Sequence, residues 1–242
     1  MKPPVPVDPV VLHTFHGAWG VRSLSPFCLK ADAVLHLAGV PMKPRLPSGP
    51  PKNKTGKLPC LEASDGTFVE GSDAIVDWLR EQRGIDLDQG LTAAQKAQAL
   101  LARRTIEEHL YFALIKERWL EDAGFAVARP VYFASLPGIL RAIIPAFIRR
   151  TVRRDAHGHG LSRMSDDRIQ RRIAEDLDAL SALLGDHDWF FGDRPTSLDA
   201  TLYGFSANML ATPVSPMLRA AFEARPNLIQ HKERFEATVY SD

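Results

Sequence analysis

The chain has 242 residues, 45% hydrophobic and 24% charged, enough for one large or two small globular domains. Its formal net charge is +1, which gives no electrostatic footprint for nucleic acid. Its two cysteines, Cys28 and Cys60, make no disulfide framework and suit a reducing compartment. Residues 1–9 form a Pro-rich arm without the apolar core of a signal peptide. The most apolar stretch, 131–148, is interrupted by Pro137, Arg141 and Pro145 and makes a poor membrane span. The expectation is a soluble, cytoplasmic protein.

The first apolar strand covers 10–15, and a loop with two glycines, Trp19 and Arg22 follows it. The loop ends in Ser23-Leu24-Ser25-Pro26-Phe27-Cys28-Leu29-Lys30. Phe27, Ala31, Val34, Leu35 and Ala38 then fall on one helical face that stops at Gly39. Ser25 is placed at the N-cap and Pro26 at N1, positions those residues favour. A hydroxyl and a thiol three residues apart therefore stand in a first turn whose N–H groups and dipole favour an anion such as a thiolate.

Residues 40–46 read as a short strand, placed at a sheet edge by Pro41 and Pro44. A loop rich in Pro and Lys covers 47–55. Two short strands flank Asp65-Gly66, a hairpin signal. Ser72 is expected to cap the next helix, through Ala74, Ile75, Trp78 and Leu79 to Gly84. A linker over 85–91 follows, and no later segment reads as a strand.

Thr92 and Gln95 form a capping box that opens a long helix toward Trp119 and Leu120. Pro137 opens another helix, kinked at Pro145 and running to Arg154. His157 and His159 are expected in a glycine-rich loop, with no Cys or carboxylate pair to complete a metal site. The cluster Arg149, Arg150, Arg153 and Arg154 reads as the solvated end of that helix. A peripheral membrane contact through it is the less favoured alternative. Ser165 caps an amphipathic helix bearing Ile169, Ile173, Leu177, Leu180 and Leu184, which Gly185 ends. Thr196 and Asp199 form a second capping box before an apolar helix over 198–210, and two shorter helices lie near Met217 and after Pro226.

Four motifs in this order resemble the glutathione transferase superfamily. Ser25-Pro26-Phe27-Cys28 resembles its thioredoxin-like active-site turn, and Gly56-Lys57-Leu58-Pro59-Cys60-Leu61 its cis-proline segment. Gly71-Ser72-Asp73-Ala74-Ile75 stands where the superfamily has an acidic residue followed by Ser. Gly192-Asp193-Arg194-Pro195-Thr196-Ser197-Leu198-Asp199-Ala200 resembles its helical-domain capping box. The octet, the segment Lys54-Thr55-Gly56-Lys57-Leu58-Pro59 and His157-Gly158-His159-Gly160 look most like the metaxin and failed-axon-connections branch.

The resemblance implies an α/β thioredoxin-like domain over 1–84 and an all-α domain over 92–242. It implies glutathione as cosubstrate, no metal, and a homodimer. By motif, Ser25 donates to the glutathione sulfur, the main chain of Leu58 before a cis Pro59 pairs with the cysteinyl backbone, and Gly71 and Ser72 hold the γ-glutamyl carboxylate. Phe15, Trp19, Tyr111 and Trp119 are candidate walls for a small hydrophobic electrophile, with ordinary core packing as the competing reading. Two alternatives remain: a binding module without turnover, or thiol–disulfide chemistry through Cys28, with Cys60 nearby. Gly71 departs from the superfamily, and Glu70, one residue early, is expected to point the other way.

Overall fold

The computed structural model describes residues 8–47, 49, 51 and 53–240. Most of the Pro-rich arm lies outside these residues. Strands β1 (Val10–His13), β2 (Met42–Arg45), β3 (Cys60–Glu62) and β4 (Phe68–Glu70) form one sheet in the order β2-β1-β3-β4. β2 runs parallel to β1, β3 antiparallel to β1, and β4 antiparallel to β3. β2 is an edge, which accommodates Pro44 without a lost ladder bond in the sheet centre.

Register sorts the two sheet faces. Leu12 pairs with Leu61 and Leu61 with Val69; Leu12 and Leu61 are fully buried. The opposite face carries the row Arg45, His13, Cys60 and Glu70, with Glu62 and Phe68 beside it.

Helix α1 (Pro26–Leu37) connects β1 to β2, and α2 (Ser72–Arg83) follows β4, ending on Gly84 in the left-handed conformation. The segment between β2 and β3 contains no helix among its described residues. The capping box at Thr92 is formed: Gln95 N–H donates to Thr92 Oγ1 at 3.3 Å, and Thr92 N–H to Gln95 Oε1 at 2.9 Å.

From there the chain is helical to Leu120, but with changes of pitch. α3 (Ala93–Arg104) passes into a π-helical stretch (Thr105–Leu110), then α4 (Tyr111–Ile115), then a second π stretch (Lys116–Leu120). α5 (Asp122–Tyr132) is a helix that the sequence reading lacks, because Pro130 near its end obscures the pattern. α6 (Gly138–His159) extends beyond Arg154, so His157 and His159 stand in its last turn rather than in a loop. His159 stacks on Phe112 at 3.7 Å and its Nε2 meets Glu108 O at 2.9 Å. No metal-binding cluster occurs among the described residues.

α7 (Asp166–Leu184) buries the five aliphatic residues its spacing predicts. α8 (Ser197–Ala211), α9 (Pro216–Glu223) and α10 (Pro226–Val239) complete the chain.

Two compact units do not follow chain order. One joins the described residues through Arg103 with Asp186–Asn208 and the stretch from Gln230 onward. The other joins Arg104–Gly185 with Met209–Ile229. The first unit thus packs part of α8 against the thioredoxin-like elements. Gly204 makes this packing close: a Cβ there would stand 2.7 Å from Lys30 N and 2.9 Å from Pro26 O. Phe205 meets Phe27 edge-on at 5.0 Å, and Asn208 Nδ2 donates to Ser23 O at 3.0 Å.

In the second unit, Gly124 is in similar contact. A Cβ on it would lie 1.7 Å from Glu117 O, a backbone atom that cannot step aside. Gly124→Ala is therefore expected to destabilise the protein by about 3 kcal/mol, overpacking at its upper range. A denaturation midpoint equal to wild type would contradict this.

Candidate functional site

Ser25 is the N-cap of α1, as its sequence neighbours require. Its φ and ψ are −98° and 121°, and its Oγ accepts the Cys28 N–H at 3.3 Å. Pro26 occupies the next position. Hydroxyl groups support the turn from below: Thr14 Oγ1 donates to Ser23 Oγ at 3.1 Å, and Ser25 N–H reaches Ser23 Oγ at 3.4 Å. Ser25 itself is half-buried.

The preceding loop is folded tightly on itself. Trp19 (φ +54°) and Gly20 (φ +83°) form a turn closed by Val21 N–H to Ala18 O at 3.0 Å. A non-glycine residue in the left-handed region is costly, by about 1–2 kcal/mol. Gly17 is required for a different reason: a Cβ would lie 2.3 Å from Val21 O. Arg22 Nε donates to Asp32 at 3.0 Å and its guanidinium lies 5.0 Å from the Tyr240 ring, tying the loop to α1 and the end of α10. Phe15 and Trp19 are half-buried beside this turn.

The Leu58–Pro59 peptide is cis. Gly71 N–H donates to Pro59 O at 3.0 Å, which fixes the proline turn against the start of α2. Gly71, not Ser72, is the N-cap of that helix; Ser72 is its first helical residue and makes no side-chain cap. The structure also gives a physical reason for glycine at 71. Its φ of +98° and ψ of 148° lie in a region essentially reserved for glycine. A Glu or Gln there would have to change the backbone. Glu70 does point away, as expected: its carboxylate accepts the Lys54 and Thr55 N–H groups, both at 3.0 Å.

Lys30, the last residue of the octet, has a role its position in the sequence does not reveal. It is 1% exposed and forms an ion pair with Asp73 in the first turn of α2. Arg103 reaches the same carboxylate at 3.2 Å. The Asp73 carboxylate thus ties α1 and the end of α3 to the first turn of α2.

Both cysteines are free and buried. Burial raises the Cys28 thiol above its ordinary range, against opposing hydrogen bonds from Ser25, Phe15, Thr14 and Ser23. Cys60 is raised by burial first and by the nearby Glu70 charge second. Neither environment favours a thiolate.

Next to Leu58 lies a cavity of about 590 Å³ on the sheet face opposite Leu12 and Leu61. His13, Cys60 and Glu70 line it from the sheet, and Arg45, Asn53 and Lys54 from β2 and the following loop. Glu62 pairs with Arg45 at 2.6 Å and meets His13 Nε2 at 3.1 Å. Ser25 is not among its lining residues. The alternation of His13, Cys60, Glu62 and Glu70 along three strands carries this face in the sequence, but only the sheet register joins them.

The chain belongs to the glutathione S-transferase family. A relative from Rhodococcus sp. (strain AD45), an isoprene-epoxide–glutathione S-transferase, is 32% identical over 231 residues, covering 93% of this chain and 97% of its own. The family models for the glutathione S-transferase N-terminal and C-terminal domains match residues 26–124 and 173–235. Mouse metaxin-1 is 28% identical over 228 residues, 91% of this chain and 72% of its own length. A glutathione S-transferase of Ceriporiopsis subvermispora, solved in complex with glutathione, shares the fold with a TM-score of 0.65 at 18% identity, covering 94% of this chain and 96% of that one. The glutathione transferase fold expected from the motifs is thus the fold observed, a thioredoxin-like sheet with α1 and α2 followed by helices alone.

Of the remaining expected site residues, Tyr111 and Trp119 lie in the helical unit. Tyr111 meets Phe112 edge-on at 5.5 Å. Trp119 is 9% exposed among Phe125, Tyr132 and Phe133, as a core aromatic would be.

The helical unit holds a second cavity, of about 570 Å³, lined by Glu117, Ser215 and Met217 among others. Glu117 accepts the N–H groups of Met217 at 2.7 Å and Leu218 at 3.4 Å, and so caps α9 from outside. Burial nonetheless pushes its carboxyl up to about 7. A raised carboxyl binds its proton in the folded chain after the unfolded chain has lost it, so stability falls as pH rises. Between about pH 4.5 and 7 the fall from this group should be about 3 kcal/mol. Urea denaturation across that window should show a shallower decline in Glu117→Gln; an unchanged slope would contradict the assignment.

Proposed function

We propose that the protein binds glutathione at the α1 and α2 N-termini and transfers its thiolate to a small hydrophobic electrophile, with Ser25 stabilising the thiolate. The observation that carries this is the state of Ser25. Its Oγ stands half-buried at the N-cap of α1, where it accepts from Cys28 N–H at 3.3 Å, and its hydroxyl proton can turn from the Cys28 thiol toward a sulfur bound above the helix start.

The magnitudes suffice. A hydrogen bond to a charged acceptor is worth roughly 1.5–3 kcal/mol and a helix N-terminus roughly 0.3–1. Together they lower a thiol pKa of about 8.5 by roughly 1.5–3 units, enough to populate thiolate at neutral pH. Leu58 and the cis Pro59 would pair with the cysteinyl backbone. Ser72 and the N-terminus of its helix would hold the γ-glutamyl carboxylate, and Lys54 would receive the glycyl carboxylate. With Gly71 bare, the glutathione amino group lacks the side-chain partner other members have, so affinity should be modest.

An epoxide is the first electrophile to test, since the Rhodococcus relative is named for isoprene epoxide. The sulfur lone pair would form the S–C bond as the C–O bond breaks, and the alkoxide would take up a proton. Phe15 and Trp19 would lie toward that substrate. The same family resemblance supports a cytoplasmic homodimer. The test is calorimetric titration with glutathione together with conjugation of an epoxide and a general aryl halide. Heat and turnover support the transferase.

A second reading, a binding module without turnover, is favoured by Gly71 and by the likeness to metaxin-1. Absence of both heat and turnover would overturn the first reading. Thiol–disulfide chemistry through Cys28 has less support, because that thiol is buried and its pKa raised.

A further inference from the structure

The largest exposed apolar side chains of the second unit stand together on α6. Ile139 is 79% exposed, Ile143 62%, Phe147 70% and Leu140 44%. At 100° per residue these four share a sector of about 100°. Arg150 and Arg154 fall in the same sector, further toward the C-terminus. The face is thus apolar for about 12 Å and then basic for about one turn.

The opposite side of the helix is anchored. Pro145 and Ala156 are buried. Arg149 donates to Trp119 O and Leu120 O, both at 2.8 Å, and lies 4.4 Å from the Phe125 ring. Arg141 holds the entry to the helix by donating to Ala134 O at 2.7 Å and Leu136 O at 2.9 Å. The apolar end is therefore presented by a fixed helix.

Charge indicates what covers it. From residue 123 to 154 the sequence contains six arginines and no Asp or Glu; of the acids at either end, Asp122 pairs with Arg149 and Asp155 with Arg154. A second copy applying the same face would set Arg150 and Arg154 against their own kind, since the nearest carboxylate, Asp155, lies about 60° outside the sector and is already bonded by Arg154 at 2.9 Å. Among the described residues no helix is long and apolar enough to cross a membrane.

We propose that this face of α6 docks on an anionic phospholipid bilayer. Ile139, Ile143 and Phe147 enter the boundary between headgroups and acyl chains, and Arg150 and Arg154 meet the phosphates. Because the apolar and basic parts follow one another along one line, the helix sits tilted, its N-terminal end deeper. This departs from the solvated helix end expected from the arginine cluster alone, since the alignment of the apolar stripe with Arg150 and Arg154 becomes apparent only with the exposed face defined.

The test is co-sedimentation of the full chain with vesicles of phosphatidylglycerol and phosphatidylcholine, against phosphatidylcholine alone. Binding to the anionic vesicles, weakened by salt, is expected. Arg150→Gln with Arg154→Gln should lower partitioning roughly 30-fold at low salt, at about one charge's surface attraction each. Ile143→Asp with Phe147→Asp should abolish it while leaving the thermal midpoint unchanged. Anionic-vesicle binding that survives the aspartate pair, or failure of the wild-type chain to bind, would overturn the proposal. So would a dimer in light scattering that the aspartate pair dissociates without any vesicle binding; that result would assign the face to a second copy.

Discussion

Replacing Ser25 by alanine should lower kcat/KM for glutathione conjugation by roughly 10²–10³, the cost of losing one donor to a developing or stabilised anion. The pKa of bound glutathione, read from thiolate absorbance against pH, should rise by roughly 1–2 units as that charge-assisted bond is lost. The same change removes a helix cap, since Ser25 Oγ accepts from Cys28 N–H. That costs about 1 kcal/mol of stability, a fall in Tm of about 2–4 °C for a chain of this size. The two effects separate with Ser25→Asp. Aspartate caps as well as serine but donates no proton when ionised, and it sets a negative charge beside the sulfur. Stability near wild type with activity as low as Ser25→Ala would mark Ser25 as a donor. Wild-type kcat/KM in Ser25→Ala would refute the role while leaving transferase activity open to another donor.

The largest structural effect is expected at Asp199, which is fully buried. One carboxylate oxygen accepts from Thr196 N–H and Thr196 Oγ1, both at 2.7 Å. The other accepts from Phe190 N–H at 3.1 Å and meets His231 Nε2 at 2.9 Å. His231 is itself fully buried. Asp199→Ala would leave these donors unpaired in a dry environment and should cost about 3–5 kcal/mol. The capping box read from the sequence accounts for about 0.5–2 kcal/mol of such a loss. The excess comes from Phe190 and His231, which only folding brings to the carboxylate. A fall in the urea midpoint with an unchanged m-value would confirm it, and a loss of 1 kcal/mol or less would reduce Asp199 to an ordinary cap.

Other positions divide in the same way. Ser25, Pro26 and Gly39 mark the limits of α1 through interactions within a few residues, so their meaning is local and readable. The same holds for the box at Thr92 and the hairpin at Asp65-Gly66. Ser72 was a misplacement by one residue, because a serine before a helix reads as a cap while the neighbouring glycine holds the conformation a cap there requires. α5 was missed because Pro130 breaks the helical pattern where the helix tolerates it, in the last turn.

The sequence alone determined the order of the strands and of the helices other than α5, the octet and its motif partners, because capping, turn chemistry and hydrophobic spacing act over a few residues. The tertiary structure decided what those groups are attached to. Lys30 became the partner of Asp73, and Gly71 proved to be a backbone requirement as well as a missing side chain. The open sheet face acquired a cavity, and the octet helix acquired α8 against its backbone at Gly204. These depend on register and close approach between segments distant in the chain, which no local pattern encodes. Ser25 therefore stands on a turn legible from the sequence, in an electrostatic setting that only the fold supplies.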